Sequence, residues 1–249
     1  MRLRTIYLSI CLLAIMMAVR PAVAACSNAS LNGVYGYYHG RPGGAGNLRV
    51  LVGQIIADGN GNLSGSWTMS FNGSISIGTF TGSYLMSANC TGSFQIFGED
   101  ISVAHFNIVL DDSHHGFQMI QTDTGFDQPG FGISQGNVSC GLTGKKQTFA
   151  TNLAGVQIAS SAAEGAVGQI TLDGHGNISG FETFSVGGTI SGAVVTGTYS
   201  MNSDCLGMAQ ITPSGGPTTN FNTVVVNGGK EMLLFETDNT TLIAGTAQE

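Results

Sequence analysis

The chain carries one sequence pattern twice. Residues Gln54–Gly65 read QIIADGNGNLSG, and Gln169–Gly180, 115 positions later, read QITLDGHGNISG. The offset continues downstream, where TGSY at Thr81–Tyr84 is matched by TGTY at Thr196–Tyr199. An internal duplication of this kind predicts two domains with the same architecture. It also supplies a control, because a candidate functional residue in one repeat can be compared with its counterpart in the other.

The N-terminal segment has the three parts of a signal peptide. Arg2 and Arg4 form a basic start, residues 6–19 are apolar, and Ala22-Val23-Ala24 is a small-x-small cleavage site. The apolar run is short for a membrane span, and Arg20-Pro21 ends it. The sequence therefore predicts a secreted or periplasmic protein with no transmembrane segment. The predicted boundaries are 1–25 for the signal peptide, 26–138 for the first repeat and 139–249 for the second.

Charge restricts the partners of the exported chain. Removal of residues 1–25 leaves 15 acidic residues against five basic ones, which are Arg41, Arg49, Lys145, Lys146 and Lys230. So few cations cannot neutralise a phosphate backbone, and nucleic acid is therefore excluded as a partner.

The cysteines follow the duplication. Cys26 and Cys90 recur as Cys140 and Cys205, and four cysteines allow three pairings. The repeat favours one bridge in each domain, Cys26–Cys90 and Cys140–Cys205, and export provides the oxidising compartment. The spacing lacks the CxxC pairs of a zinc site.

A lipid anchor at Cys26 is the alternative to the first disulfide. Val23-Ala24-Ala25-Cys26 resembles the lipobox of bacterial lipoproteins. The duplication argues against lipidation, because Cys140 holds the same position in the second repeat and signal cleavage does not reach it.

Apolar and polar residues alternate along most of the chain, as in half-buried strands. Phe80, Gly82, Tyr84 and Met86 share one face, and their counterparts after the offset keep it. The pattern predicts first-repeat strands at 31–40, 48–57, 63–72, 75–87, 92–98, 101–111, 116–123 and 130–138, and the same set about 115 residues later. Short, regularly spaced strands predict an all-β chain built as a tandem duplication of two small antiparallel, up-and-down, lipocalin-like β-barrels. Two β-sandwiches are the alternative.

Two resemblances accompany this pattern. Gly33-Val34-Tyr35 loosely resembles the opening strand of lipocalin- and avidin-like barrels. The combination of ADGNGNLSG, TGSY and NCTG looks like uncharacterised secreted bacterial proteins built from one or two such repeats. That resemblance spans the chain after the signal peptide and implies no particular activity.

Most motifs that suggest chemistry have a structural explanation. The loops at 58–62 and 173–177 alternate oxygen donors with glycine, as calcium loops do, but they lack the bidentate glutamate and match hairpin turns.

The remaining motifs are also explained by structure. His114-His115, beside Asp111 and Asp112, has the side chains of a metal site, but the second repeat has no counterpart to it. The GxSxG string at 132–136 lies in β-patterned sequence, whereas a hydrolase elbow needs a strand, a turn and a helix. Asp123 and its counterpart Asp238 are expected to cap strand ends. We therefore predict no catalytic residues, no metal ligands and no cofactor.

One aromatic segment remains as a candidate binding surface. Tyr35, Tyr37, Tyr38, His39 and Arg41 lack full counterparts in the second repeat, and aromatic side chains suit sugars or apolar ligands. An ordinary barrel strand with one face in the core is the alternative explanation.

The predicted function is a secreted, non-catalytic binding or surface protein, with a small hydrophobic ligand or a cell-surface component as its partner. The alternatives are an extracellular hydrolase acting on a polymer and a calcium-stabilised structural or adhesive module.

Overall fold

In the described part of the chain, sixteen antiparallel strands form two closed eight-stranded barrels. A computed structural model describes residues 25–41, 48–98, 103–111, 113, 115–126, 128–136, 140, 142 and 144–249. The first barrel consists of β1 (Asn32–Arg41), β2 (Arg49–Asp58), β3 (Asn62–Phe71), β4 (Ser74–Met86), β5 (Thr91–Gly98), β6 (Ala104–Leu110), β7 (Gly116–Gln121) and β8 (Pro129–Ser134). The second consists of β9 (Gln147–Gln157), β10 (Ala163–Leu172), β11 (Asn177–Val186), β12 (Thr189–Met201), β13 (Leu206–Pro213), β14 (Thr219–Val226), β15 (Glu231–Glu236) and β16 (Thr241–Gln248).

Each barrel is an up-and-down meander. Every strand pairs with the next one in sequence, and the ladder closes where β1 meets β8 and where β9 meets β16. The prediction of two tandem barrels is therefore confirmed, and the sandwich alternative is wrong. The strand predictions for the first repeat agree with the observed bounds to within a few residues. The predicted signal peptide (except residue 25) and the predicted boundary at 138/139 lie outside the described residues.

The interior of the first barrel is built by strict alternation of side chains. In β6, Ala104, Phe106, Ile108 and Leu110 are buried while the residues between them are exposed. Successive side chains of a strand point to opposite faces, so each strand contributes every second residue to the core. The predicted apolar face of β4 is likewise confirmed, since Phe80, Tyr84 and Met86 are buried.

One end of each barrel is closed by a disulfide and a tyrosine. The Cα atoms of Cys26 and Cys90 are 5.0 Å apart and those of Cys140 and Cys205 are 4.7 Å apart, so the predicted pairing is confirmed. The first bridge holds the segment before β1 across the barrel end. The hydroxyl of Tyr84 donates there to the carbonyl oxygens of Leu31 at 2.6 Å and Asn28 at 3.0 Å.

The two barrels pack side by side through an apolar interface. The outer faces of β1 and β2 lie against the outer faces of β14 and β15, and their contact includes Val50, Val52, Val224, Val226, Leu233 and Phe235. Strand β15 is consequently buried along its whole length on both faces. Burial of this much apolar surface makes the pair of barrels one unit, because separating them would expose it to water.

Both barrels open on the same side of the molecule. At the closed ends, the Gly228 amide donates to the Gln135 carbonyl oxygen at 3.2 Å. At the open ends, the β3–β4 turn approaches the β15–β16 turn so closely that a Cβ on Gly73 would lie 2.6 Å from the carbonyl oxygen of Asn239. The two mouths are therefore neighbours.

Removing the Tyr84 hydroxyl should weaken the closed end. Tyr84→Phe leaves two carbonyl oxygens without this donor, and we expect a loss of about 1–2 kcal/mol in the free energy of unfolding. The matched variant is Tyr199→Phe, because among the described residues the Tyr199 hydroxyl donates to one carbonyl, that of Leu142 at 3.0 Å. Urea unfolding should show a smaller loss for Tyr199→Phe, and the reverse order would contradict this account of the closed end.

A methyl group on Gly36 should disturb the interface. Its Cβ would lie 2.4 Å from Cγ1 of Val226 and 2.7 Å from Cγ1 of Val224, inside van der Waals contact. Overpacking of this kind costs about 1–3 kcal/mol, so Gly36→Ala should lower the midpoint of urea unfolding. The control is Gly216→Ala, whose Cβ would meet nothing closer than 3.4 Å. Equal midpoints for the two variants would show that the interface accommodates the methyl group without losing stability.

Candidate functional site

The Gly-rich loops are hairpin turns closed by their own aspartate. The Asp58 carboxylate accepts hydrogen bonds from the Asn60 amide at 2.7 Å, the Asn62 amide at 3.0 Å and the Asn62 side chain at 2.6 Å. Asp173 makes the same three contacts in the second barrel. These donors stabilise the charged form and hold the pKa of both carboxyls down at about 2. Since the turn itself uses the carboxylate oxygens, the geometry favours the hairpin interpretation over calcium.

The paired aspartates after β7 and β15 cap the neighbouring strand. Asp123 accepts from the backbone amide of His105 at 2.9 Å and contacts the His105 ring at 2.8 Å. Asp238 accepts from the backbone amide of Asn220 at 2.8 Å and from its side chain at 2.7 Å. The same cap therefore occurs in both repeats with a different partner, as the prediction of a structural role requires.

Among the described residues, the other sequence motifs do not come together as a catalytic site. Ser134 ends β8, its hydroxyl oxygen accepts from the Gly136 amide at 3.1 Å, and no helix follows within the described residues. Asp111 accepts from the His115 amide at 2.9 Å, as a turn cap does. Asp112 and His114 lie outside the described residues. Across the part of the chain that the structure describes, no three histidine, cysteine, aspartate or glutamate side chains are grouped to hold a metal ion.

The aromatic segment of β1 divides between the two faces of its strand. Tyr35, Tyr37 and His39 point into the first barrel, whereas Tyr38 lies on the outer face and stacks on Phe131 at a centroid distance of 5.6 Å. Tyr35 packs against Phe117 in the core. The backbone of Arg41 belongs to β1, and its side chain lies outside the described part. Tyr37 and His39 are thus the two members of the segment that the structure brings to a cavity.

That cavity occupies the open end of the first barrel. It has a volume of about 220 Å³. Its wall is largely aromatic, aliphatic and thioether in character and includes Tyr37, Trp67, Met69, Phe80, Phe106 and Met119. The indole of Trp67 fits because residue 78 is glycine: a Cβ there would lie 2.4 Å from Cζ2 of the indole. At the corresponding depth, the second barrel encloses a cavity of only about 50 Å³.

Two nitrogen-containing side chains interrupt the apolar wall. Burial beside the Arg49 cation lowers the pKa of His39 to about 3, so its imidazole is neutral, and its Nε2 has no hydrogen-bond partner among the described residues. Arg49 stands at the mouth, where its guanidinium lies 5.5 Å from the centre of the Phe126 ring and its Nε donates to the sulfur of Met69 at 3.2 Å. Within the described residues, no carboxylate forms a salt bridge with Arg49.

The sequence alone predicts no role for Arg49 or Trp67, although both differ in charge or polarity from their counterparts in the second repeat. Arg49, Trp67 and Gln121 correspond, at the offset of 115, to Glu164, Glu182 and Glu236. All six residues lie inside the two barrels or at their mouths. The two repeats therefore share their scaffold but differ in the charge of their open ends.

No protein-family model matches the chain, and no curated protein matches its sequence. Within the described residues no helix has the length and hydropathy needed to cross a membrane.

The buried glutamate at the mouth of the second barrel should make stability depend on pH. Burial raises the pKa of Glu236 to about 7, and the nearby Asp238 and Glu164 act in the same direction. An unfolded glutamate ionises near pH 4.3, so between pH 5 and pH 7 the unfolded state loses a proton that the folded state keeps. Folding stability therefore falls across this window, and the loss is complete above pH 7.

Substitution by glutamine should remove this loss. We expect Glu236→Gln to gain stability relative to the wild type as pH rises from 5 to 8, by up to about 3 kcal/mol. Urea unfolding at pH 5 and pH 8 measures this gain in stability. Glu249→Gln, at an exposed carboxylate, is the control. A difference between variant and wild type that does not change with pH would contradict the assignment.

Proposed function

We propose that this chain is an exported, non-catalytic binding protein whose first barrel holds a small apolar ligand. The observation that carries the proposal is the cavity of about 220 Å³ at the open end of that barrel. A packed interior leaves few voids larger than a water molecule, so an apolar space of this size is a feature of binding sites. The volume suits a compact ligand, or one that extends partly into the mouth.

The polar groups of the wall would fix the orientation of a ligand. Arg49 offers a donor that no described carboxylate occupies, and the neutral ring of His39 offers an acceptor that has no partner among the described residues. A few polar groups in a mostly apolar pocket fix the orientation of a ligand, whereas the apolar area provides most of the affinity. A mainly apolar molecule with one hydroxyl or carbonyl group matches this wall.

Export is part of the same proposal. The two disulfides are typical of an oxidising compartment, and the N-terminal sequence supports secretion or delivery to the periplasm. A cysteine sulfur held in a disulfide cannot also carry a thioether-linked lipid, which favours the unanchored form over lipidation at Cys26. The likeness to secreted bacterial repeat proteins agrees with export and implies no particular activity.

The cavity contains its own reporter, because Trp67 is the only tryptophan in the chain and lies in the wall. We expect the neutral apolar fluorophore N-phenyl-1-naphthylamine to bind and to quench Trp67 by energy transfer. Ala104→Phe places a ring in the cavity and should weaken this binding at least tenfold, because Ala104 lines it. Fluorescence titration measures both effects.

The matched control is Val109→Phe, on the same strand but on its exposed outer face. It should bind the fluorophore as the wild type does. If Ala104→Phe fails to give a wild-type circular dichroism spectrum, Ala104→Leu serves as a smaller obstruction. Wild-type protein that leaves the fluorophore unbound, or equal affinities for the Ala104 and Val109 variants, would leave the first barrel with a structural role only.

A further inference from the structure

The open end of the second barrel has a different chemistry from that of the first. Glu164 on β10 and Glu236 on β15 line its mouth together with Asp238, in a depression of about 670 Å³. Glu182 on β11 lies deeper, where it accepts a hydrogen bond from the Thr151 hydroxyl at 2.7 Å. Four carboxyl groups, on three strands and the β15–β16 turn, therefore lie at or below the same open end.

Two of these carboxyl groups have an oxygen with no partner. Glu236 is 3% exposed, and its Oε1 accepts from the Thr241 hydroxyl while its Oε2 contacts no donor in the described part of the chain. The Oε2 of Glu164 is also buried without a donor there. An unsatisfied buried carboxyl oxygen is costly, so native structures usually provide it with a donor from the protein, from a bound water or from a ligand.

No positive charge of this barrel compensates for them. All residues from 144 to 249 are described, and the basic ones among them are Lys145, Lys146, His175 and Lys230. Lys230 and His175 lie in or beside the β14–β15 and β10–β11 turns, and the two lysines before β9 lie next to the β10–β11 turn. These turns belong to the closed end. Among the described residues, no basic side chain of the second barrel lies beside the carboxyl groups at the open end.

Below these carboxyl groups the barrel wall is apolar, whereas the mouth around Glu164, Glu236 and Asp238 is lined mainly by hydroxyl and amide side chains. Leu153, Phe184, Ile211 and Ile243 contribute to the wall beneath Glu164 and Glu182. We propose that the open end of the second barrel is a binding site for a small organic cation, an ammonium group on a short apolar body. The ammonium meets Glu164 and Glu236 at the mouth, and the apolar body covers the side chains below.

An organic cation suits this site better than a bare metal ion. Among the described residues, no three acidic, histidine or cysteine side chains converge as a metal requires. An ammonium ion has three donors and tolerates carboxylates spread over a wider mouth, and its apolar body gains from the wall. This site is separate from the cavity proposed for the first barrel and does not depend on it.

The test uses isothermal titration calorimetry of the intact two-barrel protein with hexylammonium chloride at pH 8. We expect saturable binding at one site, while hexan-1-ol and sodium hexanoate bind at least tenfold more weakly. Glu236→Gln and Glu164→Gln should each weaken hexylammonium binding at least fivefold. Glu249→Gln, at an exposed carboxylate beyond β16, is the control and should bind as the wild type does.

The dependence on pH offers a second readout. The titratable groups that face Glu236 are Glu164 on β10 and Asp238 after β15, and neither carries a positive charge. Its other neighbours, the Thr241 hydroxyl and the Ile243 backbone amide on β16, are uncharged donors. Because the Glu236 carboxyl keeps a proton up to about pH 7 in the free protein, a bound ammonium should displace that proton below this pH. Affinity should therefore rise from pH 6 to pH 8, and the Glu236→Gln variant should lose this dependence.

Three results would overturn the proposal. Equal affinity for hexan-1-ol would show that the apolar wall alone binds. Complete competition by calcium chloride would assign the site to a metal ion. Loss of hexylammonium binding in Ala104→Phe, with Glu236→Gln unaffected, would place the ligand in the first barrel. Failure of the neutral fluorophore to bind leaves these outcomes unchanged, so the two proposals are tested separately.

Discussion

Closure of each hydrogen-bonded ladder is the constraint from which the rest of this structure follows. Once β1 pairs with β8, and β9 with β16, neither barrel has a free edge, and every strand must divide its residues between inside and outside. The inside becomes a core at one end and a cavity or charged mouth at the other. The outside becomes solvent-exposed surface or interface, according to the residues that alternate onto it.

The outer faces of the two repeats have diverged, and this divergence joins the barrels. Val226 and Leu233 of the second barrel pack on the first, whereas their counterparts at the same offset are Asp111 and Gln118. The first barrel therefore lacks the apolar face that the second uses, and the contact is made once. The packing is lateral, so it does not link the two interiors. The barrels lie side by side with both mouths on one side of the molecule.

The inner faces have diverged as well, and here the difference concerns function. Trp67 packs over Gly78 in the first barrel, and the second barrel has Glu182 and Ala193 at the corresponding positions. The space that the glycine leaves for an indole is not needed where there is no indole. The scaffold is thus held constant by the turns, the disulfides and the closing tyrosines, while the open ends differ in charge.

The amino-acid sequence by itself determined the tandem all-β architecture, the strand positions, the disulfide pairing and the structural role of the Asp58 turn. These follow from local alternation, from turn chemistry and from the internal repeat, which are visible without tertiary contacts. Only the tertiary structure decided that the face of β1 with Tyr37 turns inward and the face with Tyr38 turns outward, and that Arg49 and Glu236 lie at open mouths. A side chain's neighbours depend on ladder register and on closure between strands far apart in sequence, and alternation along one strand carries no information about either.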